Sequence, residues 1–134
     1  MGDYGKKILA LLVGKERMLI GGDWTPARSG RSFPTHDPAT EEKLCDAALA
    51  GEEDVESAVQ AAAAAFSAWR RLDPFERGQK VSALARALRE HAEDFALLDA
   101  IDSGNPVTAM KGDVLMAAAI MDYFAGLGGE LKGQ

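Results

Sequence analysis

Apolar positions divide the chain in two. From residue 52 onward they recur at helical spacing, and before it they come in short runs broken by glycine and proline. Val55, Val59, Ala62, Phe66 and Trp69 follow one another at steps of four, three, four and three, one stripe of an α-helix. Glu52, Glu53 and Asp54 put negative charge at its start, where the helix macrodipole favours it. A second helix is announced by Asp73-Pro74-Phe75-Glu76: an acidic N-cap, proline at the first helical position and glutamate three residues after the cap. Its stripe runs Val81, Leu84, Leu88, Ala92, Phe95, Leu98, and Gly104 and Pro106 mark its end near Asp102. A third carries Val114, Ala118, Met121 and Phe124 and stops at Gly126-Leu127-Gly128-Gly129. The predicted helices cover residues 52–70, 74–102 and 108–127, packed as a small layer with the strand pieces at its periphery.

The broken runs before residue 52 predict strands. Met18-Leu19-Ile20, Gly21-Gly22-Asp23 and Trp24 read as a strand with a tight turn or bulge, since glycine tolerates positive φ. Residues 26–31 form a turn cluster, residues 32–37 a second extended piece closed by Pro38, and residues 43–49 a third that alternates weakly. Pro34 and Pro38 are unsuited to a central strand, so these are edge elements. Ahead of them, residues 1–17 predict an arm or short amphipathic helix whose sticky side is Ile8, Leu9, Leu11 and Leu12. The division is thus 1–17 arm, 18–50 short strands and 51–134 helical segment, and the fold class is mostly α with short β strands.

Composition narrows the function. Apolar residues make up 47% of the 134, enough for a core, but only 7% are aromatic and much of the apolar share is alanine. Alanine faces pack closely and bury little area each, so the core is expected to be thin. The net charge of −6 argues against nucleic acid and anionic membrane surfaces as partners, both of which need clustered Lys and Arg. A single cysteine excludes an intramolecular disulfide and fits a reducing compartment. No convincing targeting segment or membrane span is legible, and a cytoplasmic location is expected.

Individual motifs offer little chemistry. Cys45 lies between Leu44 and Asp46 in a predicted strand, the reverse of the cationic or helix-terminal setting that activates a thiolate, and reads as a small strand filler. His36 and His91 lack metal-ligand spacing, and His91 reads as a helix-surface residue. Gly126-Leu127-Gly128-Gly129-Glu130-Leu131 imitates a dinucleotide fingerprint, but it follows a helix instead of a strand and has Leu131 in the third glycine's place. Asp99 and Asp102 fall in the last turn of a predicted helix, where the dipole disfavours anions. Amides of the Ser103-Gly104 turn, a lysine or a bound cation would each offset that.

Taken together, the chain resembles the aldehyde dehydrogenase superfamily. The resemblance is carried by Leu19-Ile20-Gly21-Gly22-Asp23-Trp24, then Phe33-Pro34-Thr35-His36-Asp37-Pro38-Ala39-Thr40, then Glu53-Asp54-Val55 through Ala65-Phe66 with Trp69. Arg77 with its leucine stripe, Asp102-Ser103-Gly104-Asn105-Pro106 and Tyr123-Phe124-Ala125-Gly126 complete the set, in register from about residue 17 onward. Asn105 departs from the family's usual lysine, which leaves the subfamily and its aldehyde open. The resemblance implies an amino-terminal piece of the α/β aldehyde dehydrogenase fold, from a parent enzyme that oxidises aldehydes with NAD or NADP. The cysteine nucleophile, the glutamate that activates water, the oxyanion-binding asparagine and the cofactor-binding residues are expected beyond residue 134, leaving no catalytic and no cofactor-binding residue in this chain. Two family features map here. Asp102, with main-chain oxygens matching Thr35 and His36, is similar to a site for potassium or sodium, and Met116 matches a position that lines the substrate tunnel, with helix-core packing as the competing reading. The implied partners are the remainder of an aldehyde dehydrogenase chain and further copies in a homo-oligomer. The run Glu130-Leu131-Lys132-Gly133-Gln134 has no terminating design, which favours a truncated or fragmentary enzyme over a self-standing helical interaction module.

Overall fold

The computed structural model describes Ala10 and residues 17–130. The arm expected over residues 1–17 therefore lies almost wholly outside the described residues. The described residues form two compact units, one ending at Ser67 and including 101–104, and one of residues 68–100 with those from Asn105 onward.

The first unit contains two antiparallel hairpins and a helix. β1 (Met18–Ile20) pairs with β2 (Asp23–Thr25) in the register Met18↔Thr25, Leu19↔Trp24, Ile20↔Asp23. The connecting Gly21 and Gly22 have φ of 65° and 97°, the mirror-image turn whose twist matches that of the strands it joins. Glycine adopts both angles without the Cβ penalty that other side chains meet there. β3 (Ser32–His36) pairs with β4 (Lys43–Ala48), and the register slips between Thr35 and His36. In a two-stranded sheet both strands are edges, so Pro34 is accommodated opposite Asp46. The 37–42 connection closes on itself: Asp37 N–H donates to Glu42 O at 3.0 Å, and Asp37 Oδ1 accepts from Ala39 N–H at 2.8 Å.

α1 (Glu52–Trp69) starts as its acidic first turn requires, through one carboxylate. Asp54 is 3% exposed; its Oδ2 accepts from Gly51 N–H at 2.9 Å and its Oδ1 from Arg28 N–H at 3.2 Å. The first bond is the return half of a capping box, and the second ties the 26–31 turn cluster to the helix start. The Arg28 guanidinium adds Ser57 Oγ at 3.3 Å and Glu53 Oε2 at 3.5 Å. Gly21 lies against the helix, with a Cβ built there falling 3.7 Å from Ala61 Cβ. The stripe predicted for this helix does not form a core: Val55, Val59 and Phe66 are each more than half exposed.

The second unit is helical: α2 (Pro74–Glu90), most of α3 (Ala92–Ser103), α4 (Val107–Gly126) and a closing 3-10 turn (Leu127–Glu130). Asp73 caps α2 by accepting from Phe75 N–H at 2.8 Å, with Pro74 at the first position. The helix predicted over residues 74–102 is two helices. His91 (φ −107°, ψ 17°) closes α2, its N–H donating to Ala87 O and Arg89 O, while its own carbonyl accepts from Phe95 N–H to open α3. Glu93 and Asp94 then stand in a new first turn, where the dipole favours them. The break also shifts which residues turn inward. Gly78, Val81, Ala85 and Leu88 form the covered side of α2, whereas Leu84 and Phe95, named in the predicted stripe, are exposed.

α2 packs on α4 by close backbone approach. A Cβ on Gly78 would overlap the carbonyl oxygen of Ala125, and one on Gly128 would lie 2.7 Å from Pro74 O. The covered side of α4 is Met110, Val114, Ala118, Met121 and Ala125. Among the described residues the buried apolar set is Ala27, Ala85, Ala92, Ala96, Leu97, Met110 and Ala118, so the core is built mainly of alanine, as the composition predicts.

Candidate cation site

The structure places the three residues of the expected cation site in one unit. Thr35 is half-buried near the end of β3 and His36 is exposed at its last position. The register slip of the β3–β4 ladder falls between these two residues. The residue it leaves without a partner is Leu44 of β4, since Thr35 faces Cys45 and His36 faces Lys43, so the ladder is interrupted opposite the Thr35–His36 step. Thr35 Oγ1 stands 3.3 Å from Cys45 Sγ across the hairpin, so the threonine side chain is engaged within the sheet.

Asp102 is exposed in the last turn of α3, a turn that carries no basic residue. Two positions on, Gly104 (φ 77°) reverses the chain, and its missing Cβ would fall 3.0 Å from Pro38 Cγ. That contact brings the turn after Asp102 against the segment that follows His36. A left-handed residue is required there and a side chain would press on the proline ring, so glycine satisfies both demands. Among the described residues no group of three or more His, Cys, Asp or Glu side chains is placed to hold a metal ion.

Met116 belongs to the other unit, on α4. It is 62% exposed and lies apart from the covered side of that helix, outside the core that the described residues form. Ile120, Tyr123 and Leu127 continue its face at steps of four, three and four, all exposed, and Tyr123 meets Phe124 edge to face at 5.3 Å. The sequence stripe through Val114, Ala118 and Met121 is the inward one; the outward one is hidden in the sequence because α4 is apolar on most of its circumference.

The remaining candidates resolve into structure. Cys45 is a half-buried free thiol in β4, in the strand position expected of it. His91 is the joint between α2 and α3, its Nδ1 3.7 Å from Asp94 Oδ2. The 126–129 glycine cluster ends α4 and winds into the 3-10 turn, with Gly128 set against Pro74. It follows a helix instead of a strand, so it does not fit a dinucleotide cradle. The residue that sequence reasoning passes over is Asp54, which reads as one acid among three in a first turn; the Gly51-Glu52-Glu53-Asp54 spacing is the available signal for a cap.

The family model for the aldehyde dehydrogenase family matches residues 24–134. The chain is 37% identical to mouse retinaldehyde dehydrogenase 3 over 122 residues, covering 88% of this chain and 24% of that protein. It is 35% identical to the putative aldehyde dehydrogenase DhaS of Bacillus subtilis over 132 residues, 96% of this chain and 27% of the other. Among solved structures, an aldehyde dehydrogenase from Bacillus cereus superposes with a TM-score of 0.89 at 35% identity, over 96% of this chain and 27% of that one. Betaine aldehyde dehydrogenase from Staphylococcus aureus, solved in complex with NAD+, gives 0.90 at 28% identity over 98% and 26%. The chain thus spans about a quarter of the length of the relatives it matches. It belongs to the aldehyde dehydrogenase family, as an amino-terminal portion of that fold.

Proposed function

We propose that this chain is the amino-terminal part of an NAD(P)-dependent aldehyde dehydrogenase, and that alone it performs no aldehyde oxidation. The observation that carries the reading is the family match over residues 24–134, with the chain covering only 24% of its relative's length. Two features of the described residues support the second half of this reading. Covalent catalysis needs an activated thiolate, and Cys45 sits in a sheet beside Thr35. Hydride transfer needs a held nicotinamide, and the glycine cluster follows a helix, with its Gly128 set against Pro74. The remainder of a family-length chain, and further copies in a homo-oligomer, are the proposed partners. They suit the exposed apolar faces of α1 and α4, since contiguous apolar patches mark contact surfaces. No described helix is long and apolar enough to cross a membrane, and the cytoplasm is the proposed location.

In this reading the chain contributes two things to the parent enzyme. Thr35 and His36 carbonyls with the Asp102 carboxylate hold potassium or sodium, and Met116 with its exposed face on α4 borders the aldehyde's path. Support for the first is the ladder interruption opposite Thr35 and His36, the carboxylate at an otherwise unfavourable helix end, and the Gly104–Pro38 contact that joins the two segments. In the family-length enzyme, Asp102→Ala is expected to abolish the difference in thermal stability between potassium and sodium buffers; a difference that survives the substitution removes the site.

The catalytic claim is tested with the purified chain, NAD or NADP and a panel of aldehydes, following absorbance of the reduced nicotinamide. No turnover is expected. Turnover that persists in Cys45→Ser overturns the proposal by placing catalysis on other residues of this chain, and turnover lost with Cys45 overturns it by making that thiol the nucleophile.

A further inference from the structure

We draw no further inference here: the strongest candidate, the exposed apolar stripe of α4 through Met116, Ile120, Tyr123 and Leu127, is an unpartnered helix face, and nothing in the structure shows what covers it beyond the remainder of the enzyme already proposed.

Discussion

In the strand-bearing unit the decisive close contacts are polar and converge on Asp54, whereas in the helical unit they are steric and run from backbone to backbone. Asp54 holds the 26–31 turn and the start of α1 through two amide hydrogen bonds while itself buried. Gly78 and Gly128 let α2 and α4 approach until carbonyl oxygens occupy the space of a methyl group. Neither unit has a large side chain fully buried among the described residues, so neither has a thick core to absorb an error. A thin core shifts stability onto a few contacts whose geometry admits no slack. The two units differ in whether that geometry is set by charge or by volume.

The sharpest break in this comparison comes from Gly78→Ala. The new methyl would overlap the Ala125 carbonyl, which is backbone and cannot rotate away, so the helices must separate. Overpacking of this kind costs about 3 kcal/mol at the upper end of its usual range. Gly112→Ala, within α4 and facing open space, is the control: it removes a helix-interior glycine and is expected to stabilise by about 0.5–1 kcal/mol. Urea denaturation of the two variants should move the midpoint in opposite directions. If both midpoints rise, close backbone approach does not govern the helical unit.

Asp54→Asn tests the other unit with a nearly isosteric change. The carboxylate accepts at both oxygens, from Gly51 and Arg28 amides, and an asparagine must turn its NH2 toward one of them. Losing one charge-assisted bond and facing donor to donor in a buried place costs about 2 kcal/mol. The same denaturation measurement reads it, and an unchanged midpoint would show that the turn cluster is held by the Arg28 side chain instead.

What is legible in the sequence follows the same division. Elements with local signals stand where the residues predict them: the Gly21-Gly22 turn, the Asp73-Pro74 start of α2, and α1 to within a residue of its end. Periodicity misleads where the apolar content exceeds what the chain itself buries. Val55, Val59 and Phe66 make a stripe with helical spacing, but a stripe reveals that a face is apolar and not which partner covers it. The break at His91 escapes the pattern because Leu88, Ala92, Phe95 and Leu98 keep helical spacing through it, and a single residue leaving helical geometry has no apolar signature. Ala85 is inconspicuous beside Leu84 since volume draws attention, while a close helix crossing selects the smaller residue. At the candidate cation site, Asp102 is conspicuous for its charge at the wrong helix end. The register slip opposite Thr35 and His36 depends on pairing with β4 across the hairpin, which no local pattern encodes.

The smallest effect sharpens the contrast most cleanly, because it asks whether charge contributes to the helical unit at all. Arg89 on α2 and Asp122 on α4 approach to 2.6 Å, an interhelical ion pair on the same two helices that Gly78 brings together. Both side chains remain about two-fifths exposed, so water and salt screen the pair, and ordering two flexible side chains offsets part of the attraction. A double-mutant cycle of Arg89→Ala and Asp122→Ala is therefore expected to return a coupling of about 0.2–1 kcal/mol that falls further in roughly 1 M salt. The single substitutions should each shift the urea midpoint far less than Gly78→Ala. A coupling well above about 1 kcal/mol that persists in high salt would mean the pair clamps α2 to α4 as Asp54 clamps its turn, and the distinction between a unit held by charge and a unit held by volume would fail.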